Sequence, residues 1–217
     1  MPDTDPLSVL EGLYTAVVAD TLDSLGYRDR ILGADIRALT PTRRLCGRVF
    51  TARAETVRAV PANPYELEMQ AIDRMSRGDV LVVDAGYHRE SAFWGELLTT
   101  ACLAKGVRGV VMSTCARDMW KLNELDFPVF GIGCTPADSK GRIDVVSVGE
   151  PITIDGVETK NGDLILGDED GVVIVPEEAA AETLRLASEK VSGEDTVRDE
   201  LAAGVPVSEV FRRHGIL

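Results

Sequence analysis

The stretch from Trp94 to Asp118, WGELLTTACLAKGVRGVVMSTCARD, carries an acid near its start and an arginine-aspartate pair at its end, with apolar sequence between them. Glu96 and Asp118 offer hard carboxylate oxygens suited to Mg2+ or Mn2+, ions that take few protein groups and keep several waters. Arg117 is a planar donor fork able to grip a carboxylate or a developing enolate oxygen. Gly95 lets a ligand come close to the backbone, and the N–H groups of Glu96, Leu97 and Leu98 open a helix, where no earlier turn accepts them. This set suits a small anionic keto acid chelating a divalent metal. Each residue also has a plainer reading. Glu96 and Asp118 are favourable first-turn acids, Arg117 and Asp118 can form a surface pair, and Trp94 suits a core.

The elements around these residues decide whether they meet. Apolar side chains at Leu10, Leu13, Val17, Val18, Leu22 and Leu25 predict a helix over 7–25, ending near Gly26. LCGRVFTARA (45–54) alternates like a strand, and YELEMQAIDRM (65–75) reads as a helix entered through Pro64. A rhythm follows: a buried strand at 81–86, a helix at 97–105 stopped by Gly106, a strand at 107–113, a short helix at 118–125 and a strand at 128–133. Such alternation marks βαβ units and a parallel sheet. In a βαβ unit the helix runs out and the next strand runs back. Helix and strand rise about 1.5 and 3.3 Å per residue, so both legs span roughly 13 to 20 Å and cancel. Glu96 and Arg117-Asp118 are therefore predicted at one sheet edge, where open α/β folds bind ligands, with Asp84-Ala85-Gly86 opening toward it too.

Beyond Arg142 the runs IDVVSV, PITIDGVET, DLILGD and GVVIVP, broken by Gly156, Asn161-Gly162 and the acidic turn 168–171, predict antiparallel strands. Pro176 and two glutamates open a helix over EEAAAETLRLASEKV, followed by two shorter helices broken at Gly204-Val205-Pro206. The fold expected is one α/β domain over 1–217: a helical part at 1–42, a βαβ core at 43–142, antiparallel strands at 143–176 and helices at 177–217. Asp168, Glu169 and Asp170 are expected in a solvated hairpin, since EF-hand spacing is absent. His88 in GYHRE is expected to be solvated, and His214 incidental.

Composition narrows the function. The net charge is −13 and no block of Lys and Arg stands out, which argues against a direct grip on nucleic acid. No run of 18 apolar residues and no signal-like N-terminus occurs, so a cytoplasmic protein without membrane contact is expected. Cys46, Cys102, Cys115 and Cys134 are widely spaced and expected to be reduced. Lys105, Lys121 and Lys140 lack the apolar settings that would depress a lysine pKa for Schiff-base chemistry. No G-x-G-x-x-G follows a strand, which counts against a nucleotide-bearing cofactor.

GDVLVVDAG, WGELLTTACLAKGVRGVV, ARDMWKLNELDFPVF, GCTP and NGDLILGDEDGVVIVP, in this order, resemble the RraA-like family, over nearly the whole chain and most strongly from about 78 to 176. That family contains class II pyruvate aldolases acting on 4-hydroxy-4-methyl-2-oxoglutarate and related diacids, which also decarboxylate oxaloacetate, and regulators of ribonuclease E. The discriminating element is an acid, twenty residues, then Arg-Asp, matched here by Glu96 and Arg117-Asp118. The acid is Glu96 where the aldolases carry Asp. The resemblance implies a swivelling phosphohistidine-domain-like β/β/α fold. It implies that Asp118 binds metal directly, that Arg117 holds the substrate carboxylate and steadies the enolate, and that backbone N–H groups of Gly95 to Leu98 receive the pyruvyl carboxylate. It further implies that Glu96 acts on the metal through water, as does an acid from a neighbouring subunit's C-terminal helix: Glu194, with Glu189 and Asp195 as rivals. Homotrimers or homohexamers are implied, as is pyruvate release from a 4-hydroxy-2-keto diacid, with a non-catalytic ribonuclease regulator as the alternative.

Overall fold

Two short helices, not one, start the chain. The computed structural model describes residues 5–215. Helix α1 (Pro6–Leu10) begins under an Asp5 cap, and α2 (Thr15–Ser24) restarts after the break at Glu11 and Gly12. The predicted helix over 7–25 is thereby corrected: the break lets Leu10, Leu13, Val17 and Leu22 reach a single core with Leu166 and Val175, which a straight rod of that length would spread apart. Nor is 25–42 helical. It holds β1 (Arg37–Ala38), which pairs antiparallel with a later strand.

Strand β2 (Leu45–Thr56) is followed by α3 (Glu66–Arg74), β3 (Asp79–Trp94), α4 (Glu96–Lys105), β4 (Gly109–Ala116), α5 (Met119–Leu122), β5 (Val129–Gly131) and β6 (Gly133–Cys134). Then come β7 (Ile143–Val148), β8 (Ile152–Ile154), β9 (Val157–Thr159), β10 (Leu164–Gly167), β11 (Val172–Val175), α6 (Glu177–Ala202) and α7 (Val207–His214). The main sheet has nine strands, ordered β1-β5-β4-β3-β2-β10-β11, with β6 against β4 and β7 against β2; β8 and β9 form a separate hairpin. β2, β3, β4 and β5 run parallel, while β1, β7, β10 and β11 pair antiparallel. β4 is buried along its whole length, as a central parallel strand must be. The architecture is a single α/β domain with a mixed sheet and flanking helices.

The strand predicted at 81–86 does not stop at Gly86. It continues to Trp94, its register against β4 slipping between Val83 and His88, His88 and Ala92, and Ala92 and Trp94. Gly86 and Tyr87, both at positive φ, absorb the first irregularity. His88 therefore lies inside the sheet, only 7% exposed, with its ring nitrogens 3.1 Å from Thr56 Oγ1 and 2.8 Å from Ser91 Oγ, where solvation had been expected. Asp168 is likewise buried: it accepts from Thr15 N at 2.8 Å and Thr15 Oγ1 at 2.6 Å, supplying from a distant turn the cap that α2 lacks locally. The first of the two predicted tail helices is continuous with α6, because nothing in VSGEDTVRDELA interrupts the helical ladder before Gly204. His214 bonds Glu200 at 3.0 Å. All four cysteines are free, three of them buried and Cys134 exposed. No described helix is long and apolar enough to cross a membrane.

Candidate active site

The extension of β3 sets the site's position. Trp94 pairs with Ala116, and Arg117 N donates to Trp94 O at 2.8 Å, so the residues following each strand start side by side. Trp94 is fully buried, stacked on Phe127 with ring centroids 6.1 Å apart, and its indole N–H donates to Thr99 Oγ1 at 2.8 Å. Thr99 Oγ1 in turn donates to Gly95 O at 3.1 Å. This clamp fixes where α4 begins. Gly106, in the left-handed region at φ 74°, ends α4 as predicted.

At the start of α4, Glu96 N–H donates to Asp118 Oδ2 at 3.2 Å, while Arg117 Nε lies 3.8 Å from the same oxygen. Asp118 takes the left-handed conformation at φ 57°, which turns its carboxylate back over Gly95. A Cβ placed on Gly95 would come within 2.6 Å of Asp118 Oδ2, so glycine is required for this close approach, its backbone being otherwise extended. The N–H groups of Leu97 and Leu98 have no acceptor among the described residues. The Glu96 carboxylate accepts from Thr100 Oγ1 at 3.1 Å on the helix surface.

Gly95, Leu97, Leu98, Arg117 and Asp118 form one wall of a cleft of about 360 Å3 lined also by Tyr65, Glu68, Met69, Phe93, Asp138 and Ser139, whereas the predicted Glu96 is not part of that lining. Arg117 Nη1 lies 3.0 Å from Asp138 Oδ1, and the Tyr65 hydroxyl donates to Asp138 Oδ2 at 2.8 Å. Burial, together with that bond, pushes the Tyr65 phenol up to about 12. Burial first, then the negative charges of Asp138 and Asp144, pushes the Glu68 carboxyl up to about 8 against the opposing pull of Arg117. Tyr65, just ahead of α3, sits at φ 67°, and such strain in a non-glycine residue is characteristic of functional sites.

Sequence reasoning placed Gly95, Glu96, Leu97, Leu98, Arg117 and Asp118 at one edge, and the structure brings their backbones together there. Asp84 is elsewhere. Because β3 runs on past it, Asp84 opens instead onto a second cleft with Arg53, Glu158 and Lys160, and accepts from Ser113 Oγ at 3.0 Å. Tyr65, Glu68, Asp138 and Ser139 were missed. The loop carrying Asp138 is held against β3 by Ala92 N–H donating to Ala137 O at 2.9 Å, a pairing without local sequence signature. Glu194 accepts from Tyr14 on the helical layer of its own chain, Glu189 pairs with Arg185 and Asp195 with Arg198; none of the three lines the cleft of its own chain. No lysine, cysteine or histidine lines the cleft.

The donor set fits a hard divalent cation. The charged oxygen donors of the lining are the carboxylates of Glu68, Asp118 and Asp138, no thiolate or imidazole is among them, and the Asp118 side chain is 38% exposed. No cluster of three or more His, Cys, Asp or Glu poised to chelate occurs among the described residues. One carboxylate with most positions left to water is a normal arrangement for Mg2+ and not for zinc.

The model of the RraA-like family, described as Aldolase/RraA, matches residues 15–174. Protein DlpA of Legionella pneumophila is 26% identical over 93% of this chain, which spans only 33% of that longer protein. A 4-hydroxy-4-methyl-2-oxoglutarate aldolase of Thermus thermophilus is 33% identical over 59% of this chain and 76% of its own length. Among solved structures, RraAS2 of Streptomyces coelicolor, described as an unusual member of the RNase ES inhibitor RraA family, superposes with a TM-score of 0.83 at 27% identity, covering 92% of this chain and all of that one. With three quarters of its length matched by the family model and its fold shared end to end with a solved member, this chain belongs to the RraA-like family.

Proposed function

We propose that the protein is a divalent-metal-dependent carbon–carbon lyase that cleaves the C3–C4 bond of a 4-hydroxy-2-keto diacid of the 4-hydroxy-4-methyl-2-oxoglutarate type to release pyruvate, and that it also decarboxylates oxaloacetate. The observation that carries this reading is the convergence of Gly95, the α4 N–H groups, Arg117 and Asp118 on one cleft. Asp118 would hold Mg2+ or Mn2+ directly, with Glu96 and a neighbouring subunit's Glu194 acting through water in a homotrimer or homohexamer. When bound, the ion supplies a Lewis acid that withdraws charge from a ketone oxygen.

The chain's own groups do the rest. The free N–H groups of Leu97 and Leu98 at the positive end of α4 receive the substrate carboxylate. Arg117, oriented by Asp138, presents its charge to the oxygen that becomes an enolate, a preorganised electrostatic contribution of the kind that dominates such reactions. Phe93, Leu98 and Met69 exclude water around the cleaving bond. The cleavage of oxaloacetate needs no base, so it is the activity that tests the site with fewest parts. Purified protein should release pyruvate from oxaloacetate and from one or more 4-hydroxy-2-keto diacids with Mg2+ or Mn2+, and EDTA should abolish it. Pyruvate release that persists unchanged in EDTA, or none from any of these, removes the reading.

A second reading, regulation of a ribonuclease through protein contact, draws on the description of the Streptomyces relative. The exposed Trp120 and Leu97, at 74% and 77%, give it a surface to work with. The retained Glu96, Arg117 and Asp118 arrangement favours the enzyme.

A further inference from the structure

Whatever releases pyruvate must also put a proton on its methyl carbon, and no residue discussed so far supplies it. With a carboxylate on the α4 N–H groups and the ketone oxygen toward Arg117, the reacting carbon faces the remaining wall, made by α3 and the loop at 138–139. Four polar side chains line that wall. The Tyr65 hydroxyl is committed to Asp138, and the phenol is a poor acid there. Both Asp138 oxygens are already engaged as acceptors, one by Arg117 and the other by the Tyr65 hydroxyl. The Ser139 hydroxyl is far too weak an acid. Glu68 remains: a partly buried carboxyl lining the cleft, with no hydrogen bond or ion pair among the described residues.

Building on the lyase reading, we propose that Glu68 is the acid that protonates C3 of the pyruvate enolate. In the cleavage step the 4-hydroxyl proton passes to water, the C3–C4 bonding pair moves into the C2–C3 enolate double bond, and C4 leaves as a ketone. The Glu68 carboxyl then delivers its proton to C3, the enolate electron pair forming the new C–H bond as the C2 carbonyl re-forms. Solvent returns a proton to the Glu68 carboxylate. With oxaloacetate the first step expels carbon dioxide and the second is the same. The environment suits the role: desolvation and the neighbouring Asp138 and Asp144 keep the Glu68 proton in place near neutral pH, where an ordinary carboxyl would have lost it. Asp138 and Tyr65 act through position, holding the Arg117 guanidinium in place at the cleft.

The test separates the acid from the site. Wild-type protein, Glu68→Gln and Glu68→Asp are each incubated with pyruvate and Mg2+ in D2O, and methyl deuteration is followed by proton NMR. Oxaloacetate consumption is measured in parallel, and calorimetry reports binding of oxalate, a planar dianion shaped like the enolate. Glu68→Gln should lose methyl exchange about 10²-fold or more, the scale of general acid catalysis. It should still bind oxalate and still consume oxaloacetate, releasing enolpyruvate that ketonises in solution. Glu68→Asp should recover part of the exchange. Exchange at the wild-type rate in Glu68→Gln overturns the assignment, as does loss of exchange accompanied by equal losses of oxalate binding and oxaloacetate cleavage. If the wild-type protein neither exchanges pyruvate protons nor cleaves oxaloacetate, the lyase reading fails and this assignment with it.

Discussion

Replacing Gly95 by alanine adds one methyl group at the point where two strand ends and a helix start meet. The new Cβ would lie 2.6 Å from Asp118 Oδ2, 3.4 Å from Arg117 Cγ and 3.6 Å from Arg117 Nε. Ordinary carbon–oxygen contact begins near 3.4 Å, so the carboxylate must retreat by about 0.8 Å, given how steeply close-packed contacts resist compression. The backbone itself tolerates alanine, since Gly95 is extended at φ −157°. The fold therefore loses little beyond the Glu96 N–H to Asp118 bond, about 0.5–1.5 kcal/mol. Catalysis should lose far more, because a misplacement approaching 1 Å costs roughly 10²-fold. The assay pairs thermal unfolding with kcat/KM for metal-dependent pyruvate release. A near-native Tm with activity reduced about 100-fold is expected; full activity would show that Asp118 does not work from the position the Gly95 approach defines, and an unfolded variant would show that this glycine serves the fold.

Other consequences are as concrete. Arg117→Ala should lower turnover by roughly 10²-fold while leaving Tm nearly unchanged, since the side chain is more than a third exposed; equal activity would refute its role at the enolate oxygen. Asp168→Ala should destabilise by about 1–3 kcal/mol, because Thr15 N–H is left buried without its acceptor, and roughly 2 to 4 °C of Tm should go with each kcal/mol. Glu68→Gln should change the pH dependence of stability, measured in EDTA. The folded state holds the Glu68 proton up to about 8 against an ordinary 4.5, so wild-type stability falls relative to the variant as pH rises between these values. The difference should be flat below 4.5 and above 8, and about 1–2 kcal/mol in favour of the variant once solvent at the cleft mouth is allowed for.

Much of the scaffold was legible because its signals are local. Gly106 announces the end of α4, and Pro176 with its two glutamates announces the start of α6. The juxtaposition of Glu96 with Arg117-Asp118 followed from element lengths alone, although the structure achieves it through the continuation of β3 to Trp94. What stayed hidden depends on tertiary pairing. GYHRE looks like a loop by composition, yet register slips against β4 carry it through the sheet and bury His88. Asp168 looks like a solvated turn residue until Thr15, distant in sequence, is seen to need it. Tyr65 and Glu68 read as the unremarkable opening of a helix, and only the packing of α3 beside the 138–139 loop turns them toward Arg117.

The most direct test of the central claim is a crystal structure of the protein with Mn2+ and oxalate, with the metal located by its anomalous scattering. The metal peak should lie at a coordination distance of about 2.1 Å from the Asp118 carboxylate, with oxalate bound between the Leu97 and Leu98 N–H groups and Arg117. Oxalate and Mn2+ bound instead in the cleft beside Arg53 and Lys160, or bound nowhere on the protein, would contradict the assignment.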